Sequence, residues 1–192
     1  MNYDKIMEHN LPSGYVAALS PLDFEQLATE FLIESGTGLP LLEVQHNVKE
    51  DAHDGTYQID VKATFDTFGG ARIIVLAECK RYKTPVKREK VELLYNRLQS
   101  IGAHKGIIFS TSGFQLGAIE FAIKHGIALI RLKEGKFTYE TKSCDRLVNE
   151  IPLWADTPAY VGVYIHNATN IKCTVSNLQK GYLSPLTDFI YS

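Results

Sequence analysis

The sequence has no long apolar run, no paired cysteines and almost no net charge, and each absence removes a class of protein. Its longest uninterrupted apolar stretches are about five residues, as in Ile73–Ala77, against roughly 18 needed to cross a bilayer. No membrane partner is expected. The three cysteines, Cys79, Cys144 and Cys173, are odd in number and form no C-x-x-C pair, which argues against a disulfide framework and a zinc ribbon. The opening MNYDKIMEHNLP carries acids and lacks an apolar core or small-residue cleavage pattern, so a cytoplasmic location is expected. With 22 acidic and 20 basic residues the formal charge is −2, which excludes a uniformly basic coat for nucleic acid. A polyanion must therefore be met by a local patch. There is no G-x-G-x-x-G, Walker A lysine, H-E-x-x-H or G-x-S-x-G, the usual signatures of dinucleotide, phosphate-loop, zinc-protease and serine-hydrolase chemistry.

What is present suits one well-cored domain with a small appendage: 192 residues, 45% of them apolar. Ser20-Pro21-Leu22-Asp23 reads as a capped helix start, and Phe24, Leu27, Ala28 and Phe31 recur at helical spacing up to about Ser35. Leu41 to Val48 alternates like a half-buried strand, and Lys49 to Thr56 reads as a polar loop. A hairpin with arms Tyr57 to Phe65 and Ala71 to Lys80 follows, its second arm apolar enough to be covered on both faces. A helix marked by Val91, Leu94, Leu98 and Ile101, a strand Lys105 to Thr111, a helix Gln115 to His125 and a strand Ile127 to Leu132 complete the pattern. The expected fold is therefore mixed α/β, in the order α-β-β-β-α-β-α-β, over residues 1–142. Residues 143–192 are expected to form a small β-rich appendage for docking, specificity or dimerisation, with strands at Tyr160 to His166 and Ile171 to Ser176.

The residues that suggest chemistry lie on the hairpin. Side chains alternate along a strand, so Glu78 and Lys80 share a face, and folding about residues 68 and 69 sets Asp60 opposite position 77 or 78. Two carboxylates and an ammonium can then converge. Two hard oxygen ligands completed by water and phosphate suit Mg²⁺, and Lys80 would stand beside the attacking water or the phosphate. The spacing alone is weak: 13 glutamates and 14 lysines predict about one chance E-x-K, and the chain has three. Only Glu78 and Lys80 follow a buried strand, where an unpaired charge is costly. An ordinary salt bridge at a strand end is the plain alternative.

The segments Gln58-Ile59-Asp60, Ala77-Glu78-Cys79-Lys80-Arg81-Tyr82, Gly102-Ala103-His104-Lys105-Gly106 and Ser110-Thr111-Ser112-Gly113-Phe114 resemble the Mrr-like restriction endonuclease family of the PD-(D/E)xK nuclease superfamily. The resemblance runs from about Phe24 to Leu132. It implies a restriction-endonuclease-like fold and a metal-dependent endonuclease that hydrolyses phosphodiester bonds of double-stranded DNA, in restriction or defence against foreign DNA. Mg²⁺ would be the cofactor, with Mn²⁺ substituting, held by Asp60, Glu78 and the backbone carbonyl of Cys79, while Lys80 and Glu25 of the first helix complete the catalytic set. Ile59 stands where the superfamily's name has proline.

Lys80 to Lys90, KRYKTPVKREK, holds six of the 20 basic residues and one acid in 11 positions. A run of this kind is usually a solvated helix start, but its place beside the acids makes Arg81, Lys83, Lys87 and Arg88 candidate phosphate contacts. Ser110 and Ser112, at the carboxyl end of a parallel strand, are candidates for a DNA phosphate or plain helix-capping groups. Cutting two strands most simply needs two copies, so a homodimer is expected. The rival functions are a non-catalytic DNA- or protein-docking module, a repair or junction-resolving nuclease, and a nucleotide-binding protein using Ser110 to Gly113.

Overall fold

The computed structural model describes residues 19–67, 69–134, 160–168 and 173–178, together with Leu186, Phe189 and Ile190. Helix α1, Pro21–Ser35, starts as its sequence dictates: Ser20 Oγ accepts from the Asp23 amide at 3.1 Å, and Asp23 Oδ2 accepts from the Ser20 amide at 3.3 Å. This reciprocal cap satisfies amides that the first turn leaves without helical partners. The buried stripe Phe24, Leu27, Ala28, Phe31 and Leu32 then lies against the sheet.

The strands are β1 (Glu43–Ala52), β2 (Gly55–Thr67), β3 (Ala71–Lys80), β4 (Lys105–Ser110), β5 (Ile127–Glu134), β6 (Tyr160–Ala168) and β7 (Cys173–Leu178), with α2 (Arg88–Ile101) and α3 (Leu116–Lys124) between β3, β4 and β5. They form one seven-stranded sheet in sequence order. The β3–β4 and β4–β5 pairs are parallel and the other four antiparallel. The first eight elements follow the expected α-β-β-β-α-β-α-β order. The expected boundary between residues 142 and 143 lies outside the described residues. Strands β6 and β7 continue the sheet from β5, and Tyr164, Leu186 and Ile190 join the core beneath α1.

Two apolar layers sandwich the sheet. Phe24, Phe31, Val61, Phe65, Ala77, Phe109 and Ile130 belong to the α1 side. On the other side Leu76, Ile108 and Leu129 meet Val91, Leu94 and Leu98 of α2 and Ala118, Ile119 and Ala122 of α3. Gly106 eases that second layer: a Cβ there would lie 2.7 Å from Leu98 Cδ1 and 3.2 Å from Leu94 Cδ2, so a larger residue would have to push those leucine ends aside.

Two features differ from the sequence expectation. Strand β1 runs to Ala52, through the segment expected as loop, because a polar ribbon can be held by cross-strand side chains. Lys62 Nζ meets Glu50 Oε1 at 2.6 Å, Thr56 Oγ1 donates to Asp51 at 2.7 Å, and Gln58 donates to Asn47 at 2.5 Å. Such pairs stabilise a sheet much as apolar ones do. The second feature sits at Asp60. Strict alternation would keep Ile59 on the face of Val61, yet Val61 packs in the α1-side core and Ile59 in the α2-side core. The ribbon turns over between them, where Asn47, facing Asp60 between the pairs His46↔Val61 and Val48↔Ile59, adopts φ +55°. Asparagine tolerates this left-handed conformation better than most residues. Asp60 is thereby set at the seam between the two layers.

Candidate active site

The β2–β3 ladder runs from Thr67↔Ala71 to Val61↔Ala77. One step further, the Cys79 amide donates to the Asp60 carboxylate, Oδ2, at 2.7 Å. A side chain has replaced the next backbone rung, and Asp60 is fixed at the level of Glu78, as the hairpin register predicts. Since a strand residue's N–H and C=O share one edge, the Cys79 carbonyl lies on the Asp60 side as well.

Glu78 is 4% exposed, and both of its oxygens are taken. Oε2 meets Lys80 Nζ at 2.6 Å, and Oε1 accepts from Arg97 Nη1 of α2. Two cations thus face the buried carboxylate and offset the cost of burying a charge. On the other side of β3, Glu25 Oε2 lies 2.7 Å from His46 Nε2 of β1. Burial, then the charges of Asp60 and Glu25, push the Cys79 thiol far above its ordinary range, with Lys80 opposing. Asp60, Glu25 and Lys80 therefore all act on one point at the end of β3. Glu25, Asp60, Glu78 and Lys80 are brought to this corner from α1, β2 and β3.

The thiol's raised pKa carries a prediction. A neutral thiol is a poor nucleophile, so iodoacetamide at pH 8 is expected to leave Cys79 unmodified in the folded chain and to modify it after denaturation. Peptide mass mapping reads the difference, and rapid labelling of Cys79 in the native chain would contradict the burial that chiefly raises its pKa.

The basic segment forms the rim. Lys83 and Lys87 are exposed. Arg81 donates to the Leu19 carbonyl at 2.8 Å, tying the rim to the start of α1. Arg88 pairs with Glu92 at 2.6 Å and lies over the Phe121 ring at 5.2 Å. Ser110 and Ser112 are not at this surface. Ser110 is 0% exposed and donates to the Lys80 carbonyl at 3.2 Å; Ser112 donates to the Thr84 carbonyl at 2.7 Å. Thr111 Oγ1 adds a bond to the Tyr82 carbonyl at 3.0 Å. The Ser-Thr-Ser run therefore staples the loop that follows Lys80, and its hydroxyls do not face an incoming phosphate.

Comparison with known proteins settles the family. A family profile described as Mrr_cat, restriction endonuclease, matches residues 16–134. The chain belongs to this restriction endonuclease family. The match covers every acid and cation of the corner just described, and the mixed sheet flanked by helices is the restriction-endonuclease-like fold. No curated protein sequence matches the chain. Among solved structures it is similar to "Protein of Unknown Function AF1548", at 22% identity and TM-score 0.44, over 56% of this chain and 55% of that one. It is also similar to "MspJI Restriction Endonuclease in Complex with 27-mer Oligonucleotide", at 20% identity and TM-score 0.41, over 56% of this chain and 25% of that one. The chain thus spans about half the length of the first and a quarter of the second.

Within this Mrr_cat domain, Arg97 and His46 join the corner without having been marked by the sequence. Arg97 flanks the apolar stripe of α2, where a charge usually meets solvent, and its only signal is that a buried Glu78 requires more compensation than a short strand end offers. Among the described residues no three His, Cys, Asp or Glu side chains are grouped to hold a metal ion, so this is not a dedicated all-protein cage. Mg²⁺ does not need one: it keeps several waters and takes one or two carboxylates beside substrate phosphate. Asp60, whose Oδ2 is fixed by a backbone amide, and Glu78, one strand away at the same level, are a donor set of that kind.

Proposed function

We propose that this Mrr_cat domain is a Mg²⁺-dependent endonuclease that cuts double-stranded DNA in restriction or defence. The observation that carries the reading is the Asp60 carboxylate standing in for a rung of the β2–β3 ladder beside a Glu78 that is buried among cations. A fold seeking stability alone would place a backbone bond and an apolar residue there.

Asp60, Glu78 and the Cys79 carbonyl would hold Mg²⁺, which when bound supplies a Lewis acid for the phosphate and lowers the pKa of a bound water. The chain's own residues do the rest. Lys80, on the same face as Glu78, positions the attacking water by hydrogen bonding and offsets charge that builds on the phosphate oxygens. Glu25, held by His46, extends the acidic corner towards α1 and orders water there. Arg81, Lys83, Lys87 and Arg88 grip the flanking phosphates, which fixes the duplex without reading its sequence. Two copies would cut the two strands, giving a homodimer, and the chain acts in the cytoplasm.

Supercoiled plasmid tests the proposal. Wild type is expected to nick it with Mg²⁺ or Mn²⁺ and not with EDTA. Lys80→Ala is expected to lower the rate by roughly 100-fold or more, the order seen when a charge-stabilising donor is lost, while Arg97 continues to offset Glu78 and the melting temperature stays close to wild type. Duplex binding without cleavage in either metal would make the domain a docking module.

A further inference from the structure

Arg97 does more than neutralise a buried acid. We infer that it is a further residue of the cleavage site: it occupies Glu78 Oε1 while the corner holds no divalent ion, and it binds the DNA phosphate when that oxygen is needed for metal. The inference rests on the endonuclease reading above and adds a residue which the E-x-K pattern does not contain.

Charge is the first argument. Counted formally, Glu25, Asp60 and Glu78 bring three negative charges to the corner and Lys80 and Arg97 two positive ones, so without a metal ion the corner is one charge negative. Lys80, at 2.6 Å from Oε2, takes one oxygen of Glu78 and Arg97 the other, so a metal ion that takes over the carboxylate frees cationic groups for a second anion. A divalent ion raises the formal total to +1. That matches the single negative charge of a phosphodiester, and without Arg97 the corner would be neutral just as further charge builds on the phosphate.

Position is the second. The core contacts of α2 are made by Val91, Leu94 and Leu98, and Arg97 is not among them. Its side chain is 29% exposed, against 6% for that of Glu78, so Arg97 links the buried acid to a partly open surface. It takes Oε1, the oxygen that Lys80 leaves. A cation on that oxygen opposes a metal ion there by direct repulsion at contact distance. Chemistry is the third argument: guanidinium offers a rigid fork of donors matched to phosphate oxygens and loses little hydration on burial, which favours arginine over lysine for this exchange.

The two roles predict opposite signs for one substitution. In Arg97→Met, calorimetric titration with Mn²⁺ in the absence of DNA is expected to show a dissociation constant about 3–10-fold lower than wild type, because a competing positive charge has gone. Single-turnover cleavage at saturating Mg²⁺ is expected to fall about 100-fold. A residue that only props the fold would weaken both together. Arg97→Lys keeps the charge and loses the fork, so it should bind Mn²⁺ as wild type does and cleave between wild type and Arg97→Met. Should Arg97→Met not fold, the lysine variant decides: wild-type cleavage with wild-type Mn²⁺ affinity overturns the inference. Unchanged or weaker Mn²⁺ binding by a folded Arg97→Met also overturns it, as does unchanged cleavage. If wild type neither binds Mn²⁺ nor cleaves, the endonuclease reading itself fails, an outcome distinct from a cleaving wild type that tolerates the loss of Arg97.

Discussion

Replacing Glu78 with alanine is expected to destabilise the chain by about 3 kcal/mol and to remove cleavage altogether. The stability loss comes from what remains. Lys80 and Arg97 would face each other across a small void with no acid between them, and breaking a buried pair by deleting one partner typically costs about 3–5 kcal/mol. The lower end applies because Lys80 and Arg97 side chains retain 19% and 29% exposure and can turn towards water. For a chain of this size that corresponds to a fall in melting temperature of roughly 6–12 °C. Glu78→Gln separates the two effects: its amide oxygen still accepts from Lys80 or Arg97, so most of the stability returns while the anionic ligand does not. Thermal melts of both variants, read beside plasmid nicking, check this, and an alanine variant as stable as wild type would mean that the two cations do not depend on Glu78.

Asp60→Asn should remove the activity while leaving the fold. Asparagine presents one carbonyl oxygen, which can keep the bond to the Cys79 amide now made at 2.7 Å, and the two side chains are nearly the same size. The melting temperature is therefore expected within about 2 °C of wild type, since substitutions that keep their contacts usually change stability by less than about 0.5 kcal/mol. The negative charge is lost. As that charge serves a metal ligand and not a packing contact, cleavage is expected to fall by roughly 1,000-fold, somewhat more than the loss of a single hydrogen-bond donor to a developing charge. A large drop in stability would instead assign Asp60 to the architecture of the β2–β3 edge.

Much of this was legible in the order of residues. The cap at Ser20, the arm Ala71–Lys80 and the helix over Val91, Leu94 and Leu98 each follow from local patterning, which needs no knowledge of distant partners. The opposition of Asp60 and Glu78 follows from hairpin register, because pairing around a short turn fixes which residues face each other. Arg97 and His46 could not be read in that way. Each meets its acid from a separate element, 19 residues from Glu78 and 21 from Glu25, and no local rule couples such positions. The length of β1 was hidden because its cross-strand contacts are polar and resemble loop composition. Ser110 and Ser112 looked like phosphate ligands because hydroxyls at a strand's carboxyl end often are. The loop from Lys80 to Thr84 folds over them and takes their hydroxyls for its own carbonyls.

The central claim is that Asp60, Glu78 and Lys80 form a metal-dependent phosphodiesterase site. Its most direct measurement is plasmid cleavage by wild type and Asp60→Asn side by side, in Mg²⁺ and in EDTA, with melting curves of both. The account predicts nicked plasmid only for wild type in Mg²⁺, with coincident melting curves. Cleavage by folded Asp60→Asn at the wild-type rate, or by wild type in EDTA, would contradict it.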